Sequence, residues 1–318
     1  MIREAVLVTG ARGFVGNALM ACLEARGRAV LGASRSAGPT GRYRMCPALD
    51  ERADWSSLVS GTAVVVHAAA RVHVMTETAA DPLTEFRQVN VQGSLRLARQ
   101  AAGAGVRRFV FVSSIKVNGE ETAPGSTFTA ADRPAPVDPY GMSKLEAEQG
   151  LQQIAAETGM EVVIVRPPLV YGPGVGANFR RLMRWVHKGV PFPFGAIRNR
   201  RSLIALDNLV DLIDRCIDHP AAAGRVLLVS DGEDLSTPEL LRRVGRALDR
   251  PARLLPVPAT LLSLGGTALG KRDLVRRLCG SLQIDASETR ALLGWVPPTG
   301  VDDALDRTVR HFLMHDAT

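Results

Sequence analysis

The stretch LVTGARGFVG, residues 7–16, decides the fold. An apolar, β-branched run ends at Thr9, and glycines follow at positions 10, 13 and 16. Gly10 permits a tight turn, Gly13 lets the backbone approach a pyrophosphate, and Gly16 lets the next helix lie close to the strand. Phe14 and Val15 begin that helix, whose N-terminus then faces the phosphates. Three glycines alone are weak evidence. Between an apolar strand and the periodic NALMACLEARG they are specific for a dinucleotide turn.

Outward from this turn, AVLVT, RAVLGA, AVVVHAA, RFVFVSS, EVVIVRP and RVLLVS alternate with helical stretches. Near-continuous apolar strands between helices predict an α/β fold, a doubly wound parallel sheet covered on both faces. From about residue 168 the pattern loosens into PPLVYGPGVG and GVPFPFGAIRNRRS, then becomes helical. The expected layout is a dinucleotide domain over residues 1–167, completed by about 200–230. A smaller interleaved substrate domain takes 168–199 and 231–318.

Composition excludes several classes. A net charge of +7 and 35 arginines against four lysines suggest nucleic acid, but the arginines are dispersed and no basic helix appears. Their planar forks suit an anionic small ligand. No apolar run reaches the roughly 18 residues of a spanning helix, and MIREAVLVTG starts a strand at once, so no membrane insertion and no signal peptide are expected. Cys22, Cys46, Cys216 and Cys279 are scattered; they read as reduced, buried thiols of a cytoplasmic protein, with no metal site.

At the end of the second strand, VLGASRS, a site for NAD usually has a carboxylate that binds the ribose 2′-hydroxyl. Here Ser34 and Arg35 stand there, and Arg12 lies in the glycine turn. These residues would accept a 2′-phosphate, so NADP(H) is preferred over NAD(H), unless both arginines are simply solvated. His67 reads as a core or loop histidine. Ala68, Ala69 and Ala70 leave room for the cofactor. Asn90 is either a buried structural amide or a fixer of active-site backbone and water.

DPYGMSKLEAE opens a helix in which Tyr140 and Lys144 are one turn apart on one face. A tyrosine with an ordinary pKa of about 10 is a poor acid–base, and a nearby ammonium would favour its phenolate. Lys144 could also hold the nicotinamide ribose, and Ser114, at a strand end, the same substrate oxygen. Together with the glycine turn, this places an oxidoreductase's proton donor beside its cofactor.

TGARGFVG, HAAA, VNVQGS, SSIKVNG, YGMSK, RPPLVYGPG and ALLGWVPP resemble the extended short-chain dehydrogenase/reductases that act on nucleotide sugars, over essentially the whole chain. The resemblance implies a seven-stranded Rossmann sheet, a small substrate domain, and a homodimer built from two helices of each subunit. It implies a catalytic triad of Ser114, Tyr140 and Lys144, with Pro167 among the cofactor contacts. Asn178 and Arg201 match residues at the sugar diphosphate; Arg277, or Arg276, would add a phosphate contact, and His73 and Asn118 would line the sugar pocket. Related dehydratases carry an Asp–Glu pair where Ile115 and Lys116 stand, so dehydration lacks its acid and base. SSIKVNGE is most similar to reductases of the C4 ketone of UDP-4-keto-6-deoxy-N-acetylglucosamine, enzymes of surface-polysaccharide synthesis. Lys116 is then either a cation beside that ketone or a solvated strand end. The expected partner is a UDP-sugar. The competing expectations are a UDP-hexose 4-epimerase with tightly bound NAD and a non-catalytic cofactor-sensing protein.

Overall fold

The computed structural model describes residues 5–36, 42–72, 81–268 and 272–316. The first half runs β1 (Ala5–Thr9), α1 (Phe14–Ala25), β2 (Val30–Ser34), β3 (Tyr43–Met45), α2 (Ser56–Val59), β4 (Thr62–His67), α3 (Pro82–Phe86), α4 (Ser94–Gly103) and β5 (Arg108–Val112). Next come α5 (Pro139–Thr158), β6 (Glu161–Arg166), β7 (Leu169–Tyr171), α6 (Ala177–His187), β8 (Arg201–Ala205), α7 (Leu206–Asp218), β9 (Val226–Leu228) and β10 (Asp234–Leu235). Five helices finish the chain: α8 (Thr237–Ala247), α9 (Ala259–Ala268), α10 (Arg272–Cys279), α11 (Ser287–Leu293) and α12 (Val301–His315).

Seven parallel strands form one sheet in the order β3-β2-β1-β4-β5-β6-β9. Alternate residues of each strand face opposite layers. Val6, Val8, Val64 and Val66 pack with Leu19 and Leu23 of α1 and Leu209 and Ile213 of α7. Leu7, Val65, Phe109 and Phe111 pack with Leu97 of α4 and Leu151 and Ile154 of α5. Strand order reverses between β1 and β4, where ligands of such sheets bind beyond the carboxyl ends. Register sets Thr9 opposite His67 and His67 opposite Phe111 on that edge.

A second sheet, β10-β8-β7, packs its own core of Tyr171, Phe179, Met183, Leu241, Val244 and Phe312. Six expected strands are β1, β2, β4, β5, β6 and β9. After the smaller domain's first segment, β8 joins the smaller sheet, and α7 with β9 completes the larger one. Of the cysteines only Cys216 is buried, its thiol pushed up to about 12 by burial; the other three are partly exposed, not buried as expected.

Candidate active site

The turn after β1 requires glycine for steric reasons. Gly10 has φ +65°, and a Cβ there would lie 2.8 Å from the Ala69 backbone nitrogen. A Cβ on Gly16 would lie 2.1 Å from the Gly10 carbonyl oxygen, which is backbone and cannot swing away. Gly13 N–H donates to Gly10 O at 2.8 Å and closes the turn. Helix α1 has no side-chain cap and no acidic residue in its first turn, and Gly13 is exposed. Its free N–H groups and dipole fit a pyrophosphate. Phe14, Val15, Ala68, Ala69 and Ala70 are half-buried around this turn.

His67 is fully buried: Thr9 Oγ1 lies 2.6 Å from Nδ1 and Ser94 Oγ lies 2.9 Å from Nε2. Burial, then the charge of Lys144, pushes its pKa down to about 3. It is a neutral core histidine that ties β1 to α4. Beyond β2, Arg12 Nη1 donates to Ser36 Oγ at 2.5 Å, and Ser36 N donates to the buried Ser34 Oγ at 3.3 Å. Arg35 beside them is exposed.

Asp138 caps α5 by accepting the Gly141 N–H at 2.6 Å, with Pro139 in the first turn. The next residue, Tyr140, is half-buried, and Ser114, whose hydroxyl oxygen accepts the Lys116 N–H at 3.2 Å, is near enough to pull its phenol down. Burial and then Asp138 raise the phenol to about 12, against the pull of Ser114. Lys144 is not among the causes, so the expected lowering by its ammonium is not seen. The ammonium is itself 1% exposed, donates to Val112 O at 2.7 Å and sits 4.1 Å from the Phe111 ring centroid. Burial brings Lys144 down to about 7, opposed by Glu148.

Asn90 lies in a π-helical turn, Arg87–Gly93, a distortion that frequently marks functional sites. Its Oδ1 accepts from Arg71 N at 2.8 Å, and its Nδ2 donates to Arg71 O and Ser143 Oγ, both at 3.0 Å. Ser143 Oγ in turn donates to Tyr140 O at 2.8 Å. Asn90 thus links the segment after β4 to the first turn of α5.

Several expected ligand contacts are engaged within the protein. Lys116 is neither a free cation nor a solvated strand end: it pairs with Asp138 and, at 2.7 Å, with Glu120. Asn118 is buried, donating to Thr129 O and accepting from Arg166 Nη1 at 2.9 Å, so its amide cannot face a sugar. Asn178 is exposed on α6 and accepts from Arg181. Arg201, half-buried on β8, donates to Gly280 O at 3.0 Å. Pro167 gives its carbonyl to Ile115 N. His73 and the Arg277 side chain lie outside the described residues.

Sequence reading missed the polar core behind the triad. Glu148, one turn beyond Lys144, grips Arg166 through Nη2 at 2.5 Å and Nε at 3.0 Å, and accepts the Ser113 hydroxyl. Thus the paired serines divide: Ser113 turns inward to Glu148, and Ser114 Oγ accepts the Lys116 N–H. A carboxylate four residues after Lys144 was the available signal. For Asp138 it was the Asp-Pro helix start.

A doubly wound sheet with a glycine turn at its switch point, and Ser114, Tyr140 and Lys144 near the same edge, mark an enzyme that works with a nicotinamide dinucleotide. The chain belongs to the NAD dependent epimerase/dehydratase family, whose model matches residues 6–229. It is 48% identical to a UDP-glucose 4-epimerase of Vibrio cholerae over 98% of this chain and 96% of that protein. A solved complex of MoeE5 with UDP-glucose and NAD is similar at 26% identity and a TM-score of 0.79, covering 98% of this chain and 99% of that one. The UDP-glucuronic acid 4-epimerase of Bacillus cereus, solved with NAD, shares the fold at 19% identity and a TM-score of 0.79, over 98% and 99% of the two chains.

Proposed function

We propose that the protein is a UDP-hexose 4-epimerase that oxidises and re-reduces one carbon, C4, of its sugar. The observation that carries this reading is the gathering of Ser114, Tyr140 and Lys144 at one end of the sheet, with Ser114 near enough to pull the Tyr140 phenol down and Lys144 held by the Val112 carbonyl. The likeness to the Vibrio cholerae 4-epimerase over nearly the full chain supports it. Tyr140 takes the proton of the C4 hydroxyl and returns it from the same oxygen. Ser114 holds that oxygen between the two steps, and Lys144 supplies positive charge and a ribose contact. A dinucleotide held at Gly10, Gly13 and the N-terminus of α1 would supply the hydride acceptor, and then the donor, for C4. Tyr140 needs its pKa lowered before it can act as a base, since burial and Asp138 push it up to about 12. Asn90, through Ser143 and the Tyr140 carbonyl, keeps this turn of α5 in place.

The NAD-bound neighbours support NAD as the cofactor. On this reading Ser34 and Ser36 serve its ribose hydroxyls. A second reading, reduction of a UDP-4-keto-6-deoxy-N-acetylhexosamine, is favoured by one feature. The end of β2 offers Arg12, Ser36 and exposed Arg35 where a carboxylate is absent. That chemistry suits a 2′-phosphate and an exchangeable NADPH. The cofactor released on denaturing the purified protein separates the readings. Retained NAD supports the epimerase; no retained cofactor, with tighter NADPH binding, supports the reductase.

A further inference from the structure

From Leu254 to Gly270 the chain carries no charged residue, although 22% of the protein is charged. Helix α9 lies in this stretch with Leu261 58% exposed and Leu264 68% exposed. Spaced three apart, the two leucines share one helix face. Leu255, just before the helix, is half exposed. Its N–H donates to Phe192 O, and Phe192 N–H donates to Arg253 O, which brings a second chain segment alongside. That segment adds exposed Trp185, whose ring lies 6.2 Å from that of Phe192, and exposed Val190.

Basic residues border these side chains. Lys188 and Arg253 are exposed, and Arg253 Cζ would lie 3.9 Å from a Cβ on Gly189, next to Lys188. Lys271 and Arg272 follow the uncharged stretch directly in sequence. Helix α9 itself has ten residues and contains Gly265 and Gly266. Such a short, glycine-bearing helix is marginal without an apolar partner, and α10 is the element it packs against.

We propose that this face docks on an anionic lipid surface, α9 lying in the interface with Trp185, Lys188 and Arg253 at its rim. Among the described residues no helix is long and apolar enough to cross a membrane. A short apolar helix with a basic border instead lies along the surface. Tryptophan and basic side chains suit the headgroup level, where the bases meet anionic lipid. A second copy of the chain fits this face less well. A two-fold contact sets the same patch against itself, so basic rim would face basic rim. Docking is independent of which sugar the active site turns over.

Cosedimentation of the full chain with phosphatidylcholine vesicles, with and without phosphatidylglycerol, tests the proposal. Wild type should pellet with the anionic vesicles and stay largely in solution with the neutral ones. Leu261→Asp/Leu264→Asp should weaken binding by on the order of tenfold or more for each leucine removed. Lys188→Glu/Arg253→Glu, which keeps the apolar face, should lose roughly fivefold per charge and most of the anionic preference. Unchanged melting and turnover of a soluble nucleotide sugar would show that both variants are folded. Wild type that stays in the supernatant, or variants that pellet like wild type, would overturn the proposal. So would a lipid-free dimer that the leucine variant converts to monomer, because a second copy would then cover the face.

Discussion

Glu148→Gln is the most informative perturbation of the polar core. Glu148 and Arg166 have side chains 2% and 5% exposed, and two N–H groups of the guanidinium reach the carboxylate. Removing one member of such a pair leaves a buried charge without its counter-ion, at a cost of about 3–5 kcal/mol. Glutamine keeps the shape but offers Arg166 no negative charge. Urea denaturation of wild type and variant reads the loss directly. Replacing both members, Glu148→Leu with Arg166→Met, should recover much of it, because neither charge is then buried. A second readout is specific to the site. Glu148 favours the Lys144 cation, so in Glu148→Gln the lysine should titrate below its present value of about 7. The limb of kcat/KM against pH that follows Lys144 would then move acidward. A loss under about 1 kcal/mol, or a double variant no more stable than Glu148→Gln, would refute the reasoning.

Tyr140→Phe should cut turnover by about 10²-fold or more while dinucleotide binding, read by titration calorimetry, stays near wild type. Asp138→Asn keeps an α5 cap but removes the negative charge that raises Tyr140, so tyrosinate should form at lower pH in an ultraviolet titration referenced to Tyr140→Phe. Because burial lowers the folded pKa of Lys144 below its unfolded value, its charge costs stability in full below the folded pKa and less as pH climbs towards the unfolded one. Lys144→Met should therefore gain stability over wild type fully below pH about 7, and the gain should vanish as pH rises towards the ordinary 10.5. Gly16→Ala drives a Cβ into the Gly10 carbonyl and should abolish dinucleotide binding or leave the chain insoluble.

The large sheet was legible because strands covered on both faces read as unbroken apolar runs. β3, β7 and β10 are only two or three residues long and, unlike the equally short β9, lie in no apolar run longer than three residues. The glycine turn and the Tyr140–Lys144 spacing are local patterns, and the structure brings them to one sheet edge. Lys116 shows where local reading stops. Its charge is visible in the sequence, but Asp138, which claims it, lies 22 residues away and becomes a neighbour only when α5 docks. Asn118 likewise looks like a pocket residue until Arg166, 48 residues later, takes its oxygen. The raised Tyr140 pKa follows from burial and from Asp138, neither of which a spacing argument weighs.

The central claim, that one carbon is oxidised and re-reduced within a single site, is tested most directly with UDP-glucose deuterated at C4. Incubated with the protein and no added reductant, it should yield UDP-galactose to equilibrium, with the deuterium kept at C4 by nuclear magnetic resonance, and Tyr140→Phe should abolish the conversion. No epimer from UDP-glucose or UDP-N-acetylglucosamine, together with stoichiometric NADPH oxidation on a UDP-4-keto sugar, would contradict the account.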